Sequence, residues 1–103
     1  MKNNESIVCL GHDENALLFN SSGIRGIVVK DRSKLLEEIN LLIKNDIKII
    51  LISDNFKKEV LEVRNELNGV YPIFLLLPLD GISKDGVEQI RKDVERATGI
   101  NLF

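Results

Sequence analysis

The fold of this chain is decided by the stretch Ile47-Lys48-Ile49-Ile50-Leu51-Ile52, an almost unbroken run of β-branched and aliphatic residues. Such a run is typical of a central parallel strand covered on both faces, because a strand with one face in water would alternate polar and apolar residues. Ser53 and Asp54 follow directly, and either side chain suits the N-cap of a helix. The stretch therefore predicts an α/β protein.

Three further apolar runs of strand length surround this stretch, and each is followed by a segment with helical spacing. They are Ser6-Ile7-Val8-Cys9-Leu10, Gly26-Ile27-Val28-Val29 and Pro72-Ile73-Phe74-Leu75-Leu76-Leu77. We expect one three-layer α/β domain over residues 1–103, with a four-stranded parallel sheet of order 2-1-3-4 and helices on both faces, as in Rossmann-like and receiver-like proteins. The core would span about residues 6–78, and a C-terminal helix with its tail about residues 86–103.

The first three predicted helices have candidate caps, and the last three each have one apolar stripe. Asp13 is a candidate N-cap for a short first helix that Gly23 would end in a left-handed conformation. Asp31 or Ser33 would cap the second helix, and the third would reach the stop signal Asn68-Gly69. The stripes are Leu35, Leu36, Ile39, Leu42 and Ile43 on the second helix, Phe56, Val60, Val63 and Leu67 on the third, and Val87, Ile90, Val94 and Ala97 on the last.

Composition and charge exclude several functional classes. Fourteen basic and sixteen acidic residues are interspersed and give a net charge of -2, so the chain lacks the basic stripe that nucleic acid requires. No apolar run approaches the roughly 20 residues of a membrane-spanning helix, and we expect no direct membrane insertion. A single cysteine and the lack of a signal-peptide pattern make a cytoplasmic location the default expectation.

Residues capable of chemistry follow the first and third predicted strands. In a sheet of this order the winding reverses there, and ligands commonly bind in the crevice beyond the strand ends. We expect His12, Asp13, Ser53 and Asp54 to form this switch-point loop. One interpretation is a small-ligand or phosphorylation site, with Asp54 as the phosphoacceptor of a receiver-like signalling module. The other is that these residues cap helices, which is their commonest role at such turns.

Several features speak against catalysis at the switch point. A receiver domain has two adjacent acidic residues directly after its first strand, which hold magnesium, whereas Asp13 and Glu14 come one residue later, after His12. A receiver domain also needs a fifth strand that ends in lysine. Gly11 stands alone, without the glycine-rich loop that cradles a nucleotide. His12 and Cys9 are the only residues of their types, which excludes zinc patterns built from them. We expect no enzyme activity, no cofactor and no metal.

Several large apolar residues are not accounted for by the helix stripes. Leu41 falls off the stripe of the second helix, and Ile82 lies in a turn-rich loop. Ile100, Leu102 and Phe103 follow the predicted end of the last helix within four positions. A cluster of such side chains indicates an interface. For the last three residues, docking on a partner and packing back on the chain's own sheet are both open alternatives.

The order and spacing of four segments carry a resemblance that covers nearly the whole chain. The segments are Gly11-His12-Asp13-Glu14 with Phe19 and Gly23-Ile24, then Asp46 through Ser53, then Tyr71-Pro72 through Pro78 to Gly81, and finally Ile90-Arg91 with Val94, Ala97, Gly99 and Ile100. Together they resemble the F subunit of the V-type and archaeal-type rotary ATPases. Two residues depart from that family's pattern: His12 replaces the usual Asp, and Leu79 stands where a Ser often follows the strand-ending Pro.

The resemblance implies a non-catalytic rotor component of a V-type ATPase or ATP synthase that transports protons or sodium. Such a protein would bind the helical hairpin of the D subunit in the central stalk, and its C-terminal helix would reach toward the A and B subunits of the catalytic head. It would lie in the cytoplasm, peripheral to the inner face of the cell membrane. The candidate partner-binding residues are Leu41, Ile82, Val94, Arg96, Ile100, Leu102 and Phe103.

Overall fold

A computed structural model describes residues 6–99, apart from the side chain of Thr98. Strands and helices alternate along the chain as predicted. The elements are β1 (Ile7–Gly11), a 3₁₀ helix (Glu14–Ser22), β2 (Arg25–Val28), α1 (Arg32–Lys44), β3 (Ile49–Ser53), a short 3₁₀ turn (Asp54–Phe56), α2 (Lys57–Glu66), β4 (Ile73–Leu77) and α3 (Lys84–Thr98). All strand pairs are parallel and the strand order is β2-β1-β3-β4, which confirms the predicted sheet.

The two central strands, β1 and β3, are buried along their whole length. They pair in parallel register, with Val8 opposite Ile50 and Leu10 opposite Ile52. Burial on both faces explains why the first four residues of β3 lack polar alternation, since the side chains of residues 49–52 enter one of two hydrophobic layers.

The sheet separates two hydrophobic clusters. On the face covered by α1 and α2, the buried members are Val8, Leu10, Val29, Leu35, Ile39, Leu42, Ile47, Ile50, Ile52, Phe56, Val60 and Phe74. On the opposite face, covered by the 3₁₀ helix and α3, they are Ile7, Cys9, Ala16, Phe19, Ile24, Ile49, Leu51, Leu79, Val87 and Val94. We refer to these layers as the α1–α2 face and the α3 face.

Two predicted helix ends are confirmed. Asp31 caps α1, because its Oδ1 accepts a hydrogen bond from the Lys34 N–H at 2.9 Å. Gly23 ends the 3₁₀ helix in the left-handed conformation, with φ of 83°. In the part of the chain that the structure describes, no helix is both long enough and apolar enough to span a membrane.

Two other helix boundaries differ from the prediction. The α2 helix ends at Glu66, before the predicted signal Asn68-Gly69, because Leu67 takes an extended conformation that directs its side chain onto the α1–α2 face. The α3 helix begins before the predicted position 86. Its N-cap is Ser83, whose Oγ accepts a hydrogen bond from the Gly86 N–H at 3.0 Å and so starts the helix immediately after it.

Candidate functional site

The switch-point residues lie at the carboxyl ends of β1 and β3, as the strand order requires. Both carboxylate oxygens of Asp13 accept backbone hydrogen bonds, Oδ1 from Asn15 N–H at 3.1 Å and Oδ2 from Gly81 N–H at 2.9 Å. Asp13 therefore caps the 3₁₀ helix and also holds the loop that follows β4. A receiver-type site would instead use this carboxylate as a metal ligand.

The loop between β4 and α3 closes over the switch point. The Asn15 Nδ2 donates a hydrogen bond to the Ile82 carbonyl at 2.8 Å, and the Asn55 Nδ2 donates to the Asp80 carboxylate. Leu79 anchors the same loop in the hydrophobic layer of the α3 face, where it is only 1% exposed. These contacts hold the loop after β4 against the residues that follow β1 and β3.

The remaining switch-point residues also have structural contacts. Ser53 is completely buried, and its Oγ accepts a hydrogen bond from the Asn55 N–H at 3.2 Å, so Ser53 rather than Asp54 is the N-cap. Asp54 is exposed as the first residue of the 3₁₀ turn. The His12 ring packs edge-on against Phe56, with 5.8 Å between the ring centroids. Ser53 therefore has the capping role, whereas Asp54 does not act as the cap.

The ionisable groups of residues 6–99 give little sign of reactive chemistry. Within that range no three His, Cys, Asp or Glu side chains come close enough together to hold a metal ion. Cys9 lies in the middle of β1, and burial raises the pKa of its thiol to about 12. A thiol in such surroundings stays protonated at neutral pH and is a weak nucleophile.

Leu41 is the most accessible of the described candidate partner-binding residues that are apolar. Its side chain is 51% exposed on the outer side of α1. It lies in a shallow depression of about 360 Å³, whose other lining residues are Glu37, Asn40 and Lys44. These positions are one, three or four residues from Leu41, so the polar side chains surround an apolar centre on the outside of the helix.

The other candidate residues differ in accessibility. Ile82 is half-buried against the α3 face, and Val94 is part of that cluster with only 5% exposure. While α3 stays on the sheet, Val94 therefore offers little surface to a partner. Arg96 is exposed, with Nη1 3.9 Å from Oδ1 of Asp93. The remaining candidates, Ile100, Leu102 and Phe103, lie outside the described residues.

Sequence reasoning missed an apolar groove of about 300 Å³ between β4 and α3. Its lining residues are Phe74, Leu75, Leu76, Leu77, Ile90, Asp93, Val94 and Ala97. The signal that could have found it is the uniformly apolar β4 segment, whose composition is typical of a central strand although the predicted order places it at an edge.

The fold and these surfaces define a receiver-like α/β domain whose switch-point side chains hold its own loops and whose outer faces carry apolar patches suited to protein partners. The profile of the ATP synthase (F/14-kDa) subunit family matches residues 7–96, and the chain belongs to that family.

Curated relatives agree with this assignment. The chain is 25% identical over 101 residues to the F subunit of the V-type ATP synthase of Clostridium botulinum strain Eklund 17B (type B) and to that of strain Alaska E43 (type E3). Both alignments cover 96% of this chain and 98% of the relative. No solved structure matches the chain with significance. The family match confirms the resemblance seen in the sequence.

Proposed function

We propose that this chain is a non-catalytic rotor component in the central stalk of a V-type ATP synthase, where it helps couple ATP turnover in the head to proton or sodium transport. The observation that carries the proposal is the family match over residues 7–96. A component of such a complex has partner subunits, and we assign the D subunit of the stalk and the A and B subunits of the head to that role. The chain would then lie peripheral to the inner face of the cell membrane.

We assign the outer face of α1 to the D subunit. The exposed Leu41 supplies an apolar centre, and Glu37, Asn40 and Lys44 supply a polar rim around it. This arrangement suits packing against one helix of a hairpin, because binding energy concentrates in a central apolar contact that polar neighbours shield from water. A compact α/β body held on the hairpin in this way would add torsional stiffness to the stalk.

We assign the C-terminal end of the chain to the head. Arg96 is exposed near the end of α3, and Ile100, Leu102 and Phe103 follow it in sequence. Val94 would join this contact only in a state in which α3 has separated from the sheet, and Ile82 would become more accessible in the same state. The energetic barrier to such a state is set by the contacts of α3 with the rest of the domain.

The assignment of Leu41 has a matched control on the neighbouring helix. Leu61 on α2 is 53% exposed, against 51% for Leu41. We expect Leu41→Asp to weaken binding to the purified D subunit by at least about tenfold, which corresponds to about 1.4 kcal/mol. Leu61→Asp should leave the affinity within about twofold, since most interface energy resides in a few central residues. Isothermal titration calorimetry measures both affinities.

Both substitutions affect exposed side chains, so the two variants should melt close to the wild-type temperature. Equal affinities for the two variants would remove Leu41 from the interface while leaving the rotor proposal in place. Failure of the wild-type chain to bind the D subunit, or the assembled stalk and head, would refute the proposed function itself.

A further inference from the structure

We propose that the open edge of β4 binds an extended apolar segment of a partner subunit, which adds a fifth strand to the sheet and fills the groove beside α3. This inference rests on the proposed function, because the segment is assigned to another component of the ATP synthase complex. It adds a second contact, formed by backbone hydrogen bonds, to the helix packing assigned to α1.

The backbone of β4 is available on one side. Within residues 6–99, β4 pairs only with β3. The Ile73 N–H donates to the Lys48 carbonyl at 2.8 Å, so the alternation of a parallel strand directs the backbone groups of Phe74 and Leu76 to the open side. Natural edge strands are usually protected by a charge, a proline or a bulge. Pro72 and Pro78 bound β4, but the five residues of the strand itself are Ile, Phe and three Leu.

The groove beside this edge has the chemistry of an apolar binding site. One wall consists of Ile90, Val94 and Ala97, which are spaced four and three residues apart along α3. A strand added next to β4 would place alternate side chains against this wall, where an apolar residue would bury most surface. Asp93 is the charged residue that lines the groove. The partner segment should therefore combine alternating apolar residues with a flanking Lys or Arg.

The handedness of crossovers disfavours a parallel fifth strand that follows α3 in the same chain. The connection from β1 to β2 crosses the α3 face and moves toward the β2 edge of the sheet. The connections from β2 to β3 and from β3 to β4 cross the α1–α2 face and move toward the β4 edge. A parallel strand reached from α3 and placed beyond β4 would require a left-handed crossover, which about 2% of such connections show. A strand from another chain has no such restriction.

A second copy of the chain is less suitable than a different protein. Pairing of two β4 edges about a two-fold axis would put both α3 helices on the same face of the joined sheet. Two grooves, each lined by Asp93, would then lie on the same side of the joined sheet, and like charges at an interface oppose association. A partner with a basic residue would complement Asp93 instead.

Two tryptophan variants test the groove. Ala97 and Lys92 are both exposed on α3, but only Ala97 lines the groove. The natural chain contains no Trp, so each variant carries a single indole. We expect Ala97→Trp to fill the groove and to weaken assembly with a mixture of the D, A and B subunits by at least about tenfold. Lys92→Trp should assemble like the wild type, and both variants should keep the wild-type melting temperature.

Amide hydrogen exchange tests the added strand directly. In the isolated chain the Phe74 and Leu76 amides should exchange faster than the Leu75 amide, which faces β3 and serves as an internal control. In the assembled complex we expect exchange at Phe74 and Leu76 to slow at least about tenfold, because a partner strand accepts their hydrogen bonds. The measurement uses the wild-type chain, alone and with the D, A and B subunits.

Each outcome leads to a different conclusion. Slower exchange at Phe74 and Leu76 together with weakened assembly of Ala97→Trp would establish the added strand. A complex that forms with both amides still exchanging fast would overturn the inference and leave the proposed function standing. If the protection of these amides in the isolated chain rises with protein concentration and the mass doubles, the edge binds a second copy of the chain. That result would also overturn the inference. Failure of the wild type to assemble would refute both proposals.

Discussion

At the scale of single residues, Ala16 of the 3₁₀ helix packs directly on the backbone of two strands. A Cβ added to Gly11 in β1 would lie 2.4 Å from the Ala16 Cβ, and a Cβ added to Gly26 in β2 would lie 2.1 Å from the Ala16 carbonyl oxygen. The first collision involves a side chain and the second involves backbone. Glycine is therefore required at both positions by space, for two different reasons.

This difference predicts which substitution can be rescued. Gly11→Ala should lower the free energy of unfolding by about 1–3 kcal/mol through overpacking. Combining it with Ala16→Gly removes the atom that is in the way, so the double variant should be more stable than the sum of the single effects predicts. Gly26→Ala should show no such rescue by Ala16→Gly. Urea denaturation in two double-mutant cycles measures both coupling energies, and equal coupling in the two cycles would contradict this packing.

Residue-scale predictions succeeded where the cause is local. The caps formed by Asp13 and Asp31 follow from a side chain and a backbone N–H two or three residues away, and the sequence contains both. The packing of Gly11 and Gly26 on Ala16 depends on how closely the 3₁₀ helix approaches the sheet. That distance cannot be predicted from the residues near each glycine in the sequence. Leu79 shows the same limit, because its burial becomes evident only when the loop after β4 lies over the α3 face.

At the scale of elements, α3 is connected to the 3₁₀ helix by a polar contact. The Ser22 hydroxyl, which is buried, donates a hydrogen bond to Oε2 of Glu88. Arg91 donates to Oε1 of Glu88 at 2.9 Å and to Glu95 at 3.2 Å. The Ser22 hydrogen bond, followed by that from Arg91, lowers the pKa of Glu88 from its ordinary value of 4.5. Ionised Glu88 therefore stabilises the docking of α3.

The sign of the pH dependence follows from this lowered pKa. A carboxyl group that is more acidic in the folded chain contributes stability above its unfolded pKa, and the contribution is lost as the pH falls through the folded pKa. We expect Ser22→Ala to reduce stability at pH 7 and to raise the pKa of Glu88. The difference in the free energy of unfolding between Ser22→Ala and the wild type should become smaller as the pH falls below 4.5. Urea denaturation between pH 7 and pH 3 measures this difference, and a constant difference would show that ionisation of Glu88 is not involved.

The elements themselves were predictable because periodic patterns encode them. The stripe that includes Leu35, Ile39 and Leu42 predicts α1, and the unbroken run of β3 predicts the central strand. The contact between Ser22 and Glu88 joins residues 66 positions apart. Such a pairing, like the groove between β4 and α3, depends on which elements become neighbours, and neither residue type is unusual in its own segment.

At the scale of the whole molecule, two hydrophobic clusters share one sheet. Phe19 is completely buried on the α3 face and Ile39 on the α1–α2 face. Because β1 and β3 send alternate side chains into both clusters, loss of one layer exposes the strands that support the other. We expect the domain to unfold in a single cooperative transition.

This cooperativity predicts that a cavity on either face weakens the entire domain. Phe19→Ala and Ile39→Ala should each lower the free energy of unfolding by about 2–5 kcal/mol. In each variant, far-UV circular dichroism and the fluorescence of Tyr71, the only tyrosine, should report the same midpoint in urea. Two separate midpoints in Phe19→Ala alone would show that α3 and the 3₁₀ helix detach before the sheet unfolds. That state would expose Val94, and its free energy would then measure how readily the buried side of α3 becomes accessible.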